Sequence, residues 1–91
     1  MAGSIEHKSQ QHRFETVVDG VNAHLEYERT GEVMAITHTD VPAAIGGRGI
    51  AGALVEAAME YARSEGLKVD PQCSYSEVWM RRHPQYEDLR A

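Results

Sequence analysis

Ile45-Gly46-Gly47-Arg48-Gly49-Ile50-Ala51-Gly52-Ala53-Leu54 is the stretch whose reading decides the fold. A strand-like run from Glu32 to Val41 precedes it, and an amphipathic helix predicted from about Ile50 to Ser64 follows. A glycine loop between strand and helix suits an anion. Glycine lets the backbone approach closely, and the first helical N–H groups have no partner inside the helix. Glu56, Glu60 and Arg63 form the polar stripe of this helix. Ile50, Leu54, Ala57, Ala58 and Tyr61 form the stripe expected to face the core. Gly66 is placed to stop it.

Upstream, the chain reads as an antiparallel three-stranded meander. His12 to Val18 is strand-like, and Asp19-Gly20 is a hairpin turn. Val21 to Glu28 alternates, with Val21, Ala23, Leu25 and Tyr27 on one face and Asn22, His24, Glu26 and Glu28 on the other. His24 thus reads as solvated rather than as a ligand. Arg29 to Glu32 is the next turn, and Val33 to Asp40 the third strand. Strict alternation places Met34, Ile36 and His38 on one side, and Pro42 ends the pairing. Met1 to Gln11 is polar and reads as a solvated tail, leaving one domain from residue 12 to 91.

Downstream, Leu67 to Asp70 is a short strand, so strand–helix–strand implies a right-handed crossover and a parallel pair. A second helix is predicted from about Tyr75 to Arg82. Ser74 is its expected N-cap with Glu77 completing a capping box, and Tyr75, Val78 and Trp79 supply its apolar face. Pro84 stops it, and Gln85 to Ala91 forms one more turn or lies extended. The fold class is α+β.

Ninety-one residues make one small domain with a modest core. A net charge of −5 argues against a nucleic-acid partner, which needs a basic surface. One cysteine, Cys73, excludes an internal disulfide framework and a cysteine zinc site, and no metal site is expected. No apolar run is long enough to span a membrane, and the N-terminus has no apolar signal core, so the expected compartment is the cytoplasm.

The element order resembles the core of the GNAT superfamily, the acetyl-CoA-dependent N-acetyltransferases. The family loop Arg/Gln-x-x-Gly-x-Gly/Ala aligns with Gly46-Gly47-Arg48-Gly49-Ile50-Ala51, where Gly49 and Ala51 match and Gly46 replaces the usual first side chain. His38-Thr39-Asp40-Val41-Pro42, the lone Cys73 and Arg81-Arg82-His83-Pro84-Gln85-Tyr86 are similar to segments of a small GNAT-like subgroup of this length. The similarity covers about Phe14 to Leu89. It implies a reduced GNAT-like fold and acetyl-CoA as cofactor. Full-length family members shape the acceptor site with an N-terminal helical region. This sequence begins near the second or third strand of that plan, so a more open acceptor pocket, or one completed by a partner, is expected.

Gly46 opens the cofactor-binding loop, and the expected donors to the pyrophosphate are the backbone N–H groups of Gly47, Arg48, Gly49, Ile50, Ala51 and Gly52, with the Arg48 side chain adding charge. The resemblance places the pantetheine arm along His38, Thr39 and Val41 on one side and near Cys73 on the other. His38 is a candidate general base, because imidazole titrates near neutral pH, or else a histidine bonded within the sheet. Asp40 could orient His38, bind the acceptor amine or simply serve the turn before Pro42. Cys73 is either a nucleophile at a helix start or a small buried side chain near the thioester, and direct transfer needs no covalent step. Tyr75 and Tyr86 are candidate proton donors to the leaving thiolate, and Arg81, Arg82 and His83 candidate contacts for an outer phosphate.

The expected activity is N-acetyl transfer to a small-molecule or peptide amine. The alternative is an acyl-CoA-binding module acting with a partner, and a third reading is an interaction domain whose loop binds nothing. No nucleic-acid or membrane partner is expected, and the chain is expected to be a monomer or weak homodimer.

Overall fold

The computed structural model describes residues 4–91. A five-stranded sheet has the order β1-β2-β3-β4-β5. The strands are β1 (Glu6–Lys8), β2 (Arg13–Val18), β3 (Val21–Thr30), β4 (Val33–Asp40) and β5 (Lys68–Pro71). Helix α1 (Ile50–Glu65) links β4 to β5, and α2 (Ser74–Arg82) follows. Strands β1 to β4 are antiparallel neighbours, and β4 and β5 are parallel, as the crossover requires.

Alternation builds the core. Phe14 and Val18 of β2, Ala23, Leu25 and Tyr27 of β3, Met34 and Ile36 of β4, and Val69 of β5 are buried on one face. Helix α1 packs over that face, against β2, β3, β4 and β5. Its buried stripe is Ile50, Leu54, Val55, Ala58, Met59 and Ala62. Ala57 and Tyr61, expected in the core, are only half-buried at its margin. The stripe is therefore rotated towards Val55 and Met59. Glu56, Glu60 and Arg63 face solvent, and the helix ends at Gly66. The opposite face of the sheet carries no helix among the described residues.

Three features differ from the sequence reading. The solvated tail is ordered in part: Glu6–Lys8 pairs antiparallel with β2. Met1 to Gly3 lie outside the described residues. The polar composition hid an aromatic stack, in which the His7 ring lies 4.1 Å from Phe14 and 4.3 Å from Tyr61. Burial there holds the His7 imidazole below its ordinary pKa. His7 Nε2 also lies 2.7 Å from the Tyr27 hydroxyl.

Second, a bulge breaks the β3–β4 register. Tyr27 pairs with Ile36 but Glu26 with His38, so Thr37 is the extra residue. His38 is thereby turned away from Met34 and Ile36 and onto the uncovered face.

Third, α2 starts one residue early and its N-cap is Cys73, not Ser74. The Cys73 sulfur accepts the Ser76 N–H at 3.3 Å. Glu77 does not close a capping box. Its carboxylate meets Arg81 at 2.9 Å and Arg90 at 2.9 Å. The buried face of α2 is Ser76, Trp79 and Met80, whereas Tyr75 is 42% and Val78 43% exposed.

The C-terminal segment takes the first of its two expected forms, one more turn. Pro84–Leu89 forms a 3-10 turn that buries Tyr86 and Leu89. The Ala91 N–H then bonds the Val69 carbonyl at 2.8 Å, continuing the sheet beyond β5. Among the described residues, no helix is long and apolar enough to cross a membrane.

Candidate active site at the glycine loop

The loop is fixed at both ends by apolar anchors. Val41 packs half-buried against the core, and Ile45 and Ile50 are buried. Between them, Ala43–Ile45 makes a 3-10 turn whose carbonyl at Ala43 accepts the Gly46 N–H at 3.1 Å. Gly46 therefore has its donor engaged within the turn, and the donors expected for a ligand begin at Gly47. Gly47 and Gly49 have φ of 75° and 76°. These are left-handed conformations that cost a residue with Cβ about 1 kcal/mol or more. No atom lies within 4 Å of where a Cβ would stand at either position. The loop surface is open there, and the backbone can be reached.

The first intrahelical bond runs from the Ala53 N–H to the Gly49 carbonyl at 3.1 Å. The N–H groups of Ile50, Ala51 and Gly52 precede it and stay unpaired within the helix. They sit at the positive end of the helix dipole. Gly52 has a second role. A Cβ there would lie 3.4 Å from both Trp79 Nε1 and the Tyr75 hydroxyl, so the glycine lets α2 come up against α1. This contact puts the Tyr75 hydroxyl beside the start of α1. Arg48 does not point freely at the loop: its guanidinium pairs with Asp19 in the β2–β3 turn.

Next to the loop, β4 and β5 part. Their pairing ends at Ile36 and Pro71. The N–H groups of Gln72 and Cys73 both converge on the Ile36 carbonyl, each at 3.0 Å. Beyond that point the chain turns into α2, while β4 runs on to Asp40. Across the gap, Thr39 Oγ1 lies 3.5 Å from Cys73 Sγ. Cys73 Sγ also lies 3.2 Å from Ser76 Oγ. Burial pushes the Cys73 thiol up, but hydrogen bonds with the Ser76 and Thr39 side chains and the Ser76 and Tyr75 N–H groups outweigh it and hold the thiol below its ordinary range. Ser76 was not expected here. Its only sequence signal is its place three residues into a helix that Cys73 caps.

The expected catalytic residues fall into two groups. Thr39 and Cys73 meet in the gap. His38, one residue from Thr39, lies on the opposite face with His24 and Glu26, because strand neighbours alternate. Asp40 is opposite His24 in register, and no hydrogen bond joins it to His38 among the described residues. His24, expected to be solvated, has a side chain only 15% exposed, with Nε2 2.8 Å from Glu26 Oε2.

The remaining candidates separate as clearly. The Tyr86 hydroxyl donates to Glu60 at 2.6 Å, towards the far end of α1, and this bond pushes its pKa up to about 12. It is a structural group. Burial also pushes the Tyr75 phenol up, with Arg82 opposing, so Tyr75 holds its proton at neutral pH. Arg81 is engaged by Glu77. His83 stacks on Trp79 at 3.7 Å and donates from Nδ1 to the Trp79 carbonyl. Arg82, close enough to act on Tyr75, has no ion pair among the described residues.

Comparison with known proteins agrees with this geometry. The family model described as GCN5-related N-acetyl-transferase matches residues 13–89. Protein NATD1 of Mus musculus is 35% identical over 83 residues, 88% of this chain and 76% of that protein. Protein NATD1 of Danio rerio is 36% identical over 87 residues, 90% of this chain and 79% of that protein. The solution structure of a GCN5-like protein from Staphylococcus aureus superposes with a TM-score of 0.77 at 25% identity, covering 97% of this chain and 87% of that one. A strand–glycine-loop–helix unit beside two parting strands, matched in sequence and in fold, places this chain in the GCN5-related N-acetyltransferase family.

Proposed function

We propose that the chain transfers an acetyl group from acetyl-CoA directly to an amine. The observation that carries this reading is the loop at the start of α1. Two left-handed glycines expose backbone N–H groups beside a helix N-terminus, and the loop abuts the gap between β4 and β5. The site fits the cofactor: the loop's surface would be filled by any Cβ, and its donors favour a diphosphate. The N–H groups of Gly47, Arg48, Gly49, Ile50, Ala51 and Gly52 would hold that diphosphate. Arg82 is the available cation for an outer phosphate. Val41, Thr39 and Cys73 would line the arm. When bound, acetyl-CoA supplies the acyl group as a reactive thioester.

This chain's own groups then divide the proton work. His38 on the uncovered face accepts a proton from the amine, and Asp40 beside it attracts a cationic acceptor. Tyr75, protonated and next to the loop, donates to the departing sulfur. Cys73 orients rather than attacks, since its sulfur is committed to capping α2 and to Thr39. The test is release of free coenzyme A with a panel of amines. Release above the uncatalysed rate with at least one amine, lost in His38→Ala, supports the reading. No release with any amine contradicts it.

One observation favours a second reading, an acyl-CoA-binding module that works with a partner. The face bearing His38 has no covering element among the described residues. On that reading acetyl-CoA binds tightly, and turnover appears only when the partner is added.

A further inference from the structure

The uncovered face of the sheet gathers three metal-ligating side chains that the sequence scatters. His24 and Glu26 lie two apart on β3 and so share a face. His38 is opposite Glu26 in register. It reaches that face only because of the Thr37 bulge; with regular pairing it would join Met34 and Ile36 on the core side. The donor atoms of His24, Glu26 and His38 all lie within 4.8 Å of one another. Charge around them is mainly negative. Glu15 and Asp40 are both opposite His24 in register, on β2 and β4, and together with Glu26 they outnumber the one nearby guanidinium, Arg13.

We infer that His24, Glu26 and His38 form a binding site for a divalent first-row transition ion of the zinc type. Two imidazoles and one carboxylate suit such an ion, and the harder magnesium and calcium ions prefer oxygen donors. Tetrahedral coordination at Zn–N distances of about 2.0–2.1 Å puts donors about 3.3 Å apart. His24 and Glu26 are already closer than that, at 2.8 Å. Only His38, exposed and free to turn, has to close in. Paired strands set the spacing of all three, so the site is built on rigid elements. Three protein donors leave a fourth position for water. The ion takes the imidazole lone pair that His38 uses as a base in the proposed function, so the metal-loaded and the base-active chain are alternative states.

The test is calorimetric titration of the untagged, chelator-treated full chain with zinc chloride, without acetyl-CoA. Cobalt(II) absorption then reports the coordination. The expected result is one ion per chain, bound saturably below millimolar concentration. Affinity should fall about tenfold in Glu26→Gln and about a hundredfold in His38→Ala, and stay unchanged in Cys73→Ser and His12→Ala. The cobalt spectrum should show low-symmetry visible bands without thiolate charge transfer. His38 is exposed, so its variant keeps the fold, and circular dichroism checks this. Binding that survives His38→Ala, binding lost in Cys73→Ser, or no saturation at millimolar ion would each overturn the site. A readout on metal alone separates its failure from that of acetyl transfer.

Discussion

At Gly49 the chain needs a conformation that favours glycine, and the need is local and testable. With φ of 76° and open space beyond it, an added methyl meets no neighbour but strains the backbone and covers the loop's N–H groups. Gly49→Ala should lower stability by about 1 kcal/mol and weaken acetyl-CoA binding by about tenfold. Urea unfolding and calorimetry read the two effects separately. The two tyrosines make a matched pair. Tyr75→Phe removes the proposed acid and should lower kcat about a hundredfold. Tyr86→Phe loses only the bond to Glu60, so stability should fall by about 1 kcal/mol with kcat unchanged. Equal loss of kcat in both would sink the assignment. Cys73 offers a third reading. Its thiol is held below the ordinary range, so the pH midpoint for alkylation should lie below that of an unstructured cysteine peptide. Thr39→Val removes one stabilising partner and should move the midpoint up.

At the scale of elements, two contacts decide how the pieces dock. Gly52 lets α2 reach α1, where Trp79 is only 8% exposed and cannot give way. Gly52→Val should push the helices apart and cost about 2 kcal/mol, seen as a lower urea midpoint at unchanged slope. Strand β1 docks through His7. Its folded pKa is lowered, so the unfolded chain binds the proton more readily. The stability His7 contributes is present above the ordinary imidazole value of about 6.5 and is lost as pH falls through the folded value. The protection of β1 amides against hydrogen exchange, taken relative to intrinsic rates at each pH, should fall below that pH, and His7→Phe should abolish the change.

These elements also mark what the sequence made legible. The alternation from Val21 to Tyr27, the Asp19-Gly20 turn, the span of α1 and the parallel β4–β5 pair are local periods and stops, and each stands where the residues put it. The bulge at Thr37 left no trace, because an extra residue in one strand is defined only against its partner. That one residue moved His38 to the other face and away from Cys73. Strand β1 was hidden for a similar reason: its stabilising contacts, His7 with Phe14 and Tyr61, are distant in sequence. The Cys73 cap was missed because Ser74 is the better capping residue by type, whereas geometry made the sulfur the acceptor.

In the whole molecule, one sheet separates two kinds of chemistry. The gap between β4 and β5 opens beside the glycine loop, and the far face displays His38, His24, Glu26 and Asp40. The arrangement suits a carrier held at the loop while an acceptor approaches the open face. On the proposed function, the loop at the start of α1 holds the diphosphate of coenzyme A. The direct measurement is calorimetric titration of the wild-type chain and the Gly47→Ala, Gly49→Ala double variant with acetyl-CoA. One site per chain, with affinity at least about tenfold weaker in the variant while circular dichroism is unchanged, is the predicted result. Absence of binding by the wild-type chain at saturating ligand, or equal affinity in both, would contradict it.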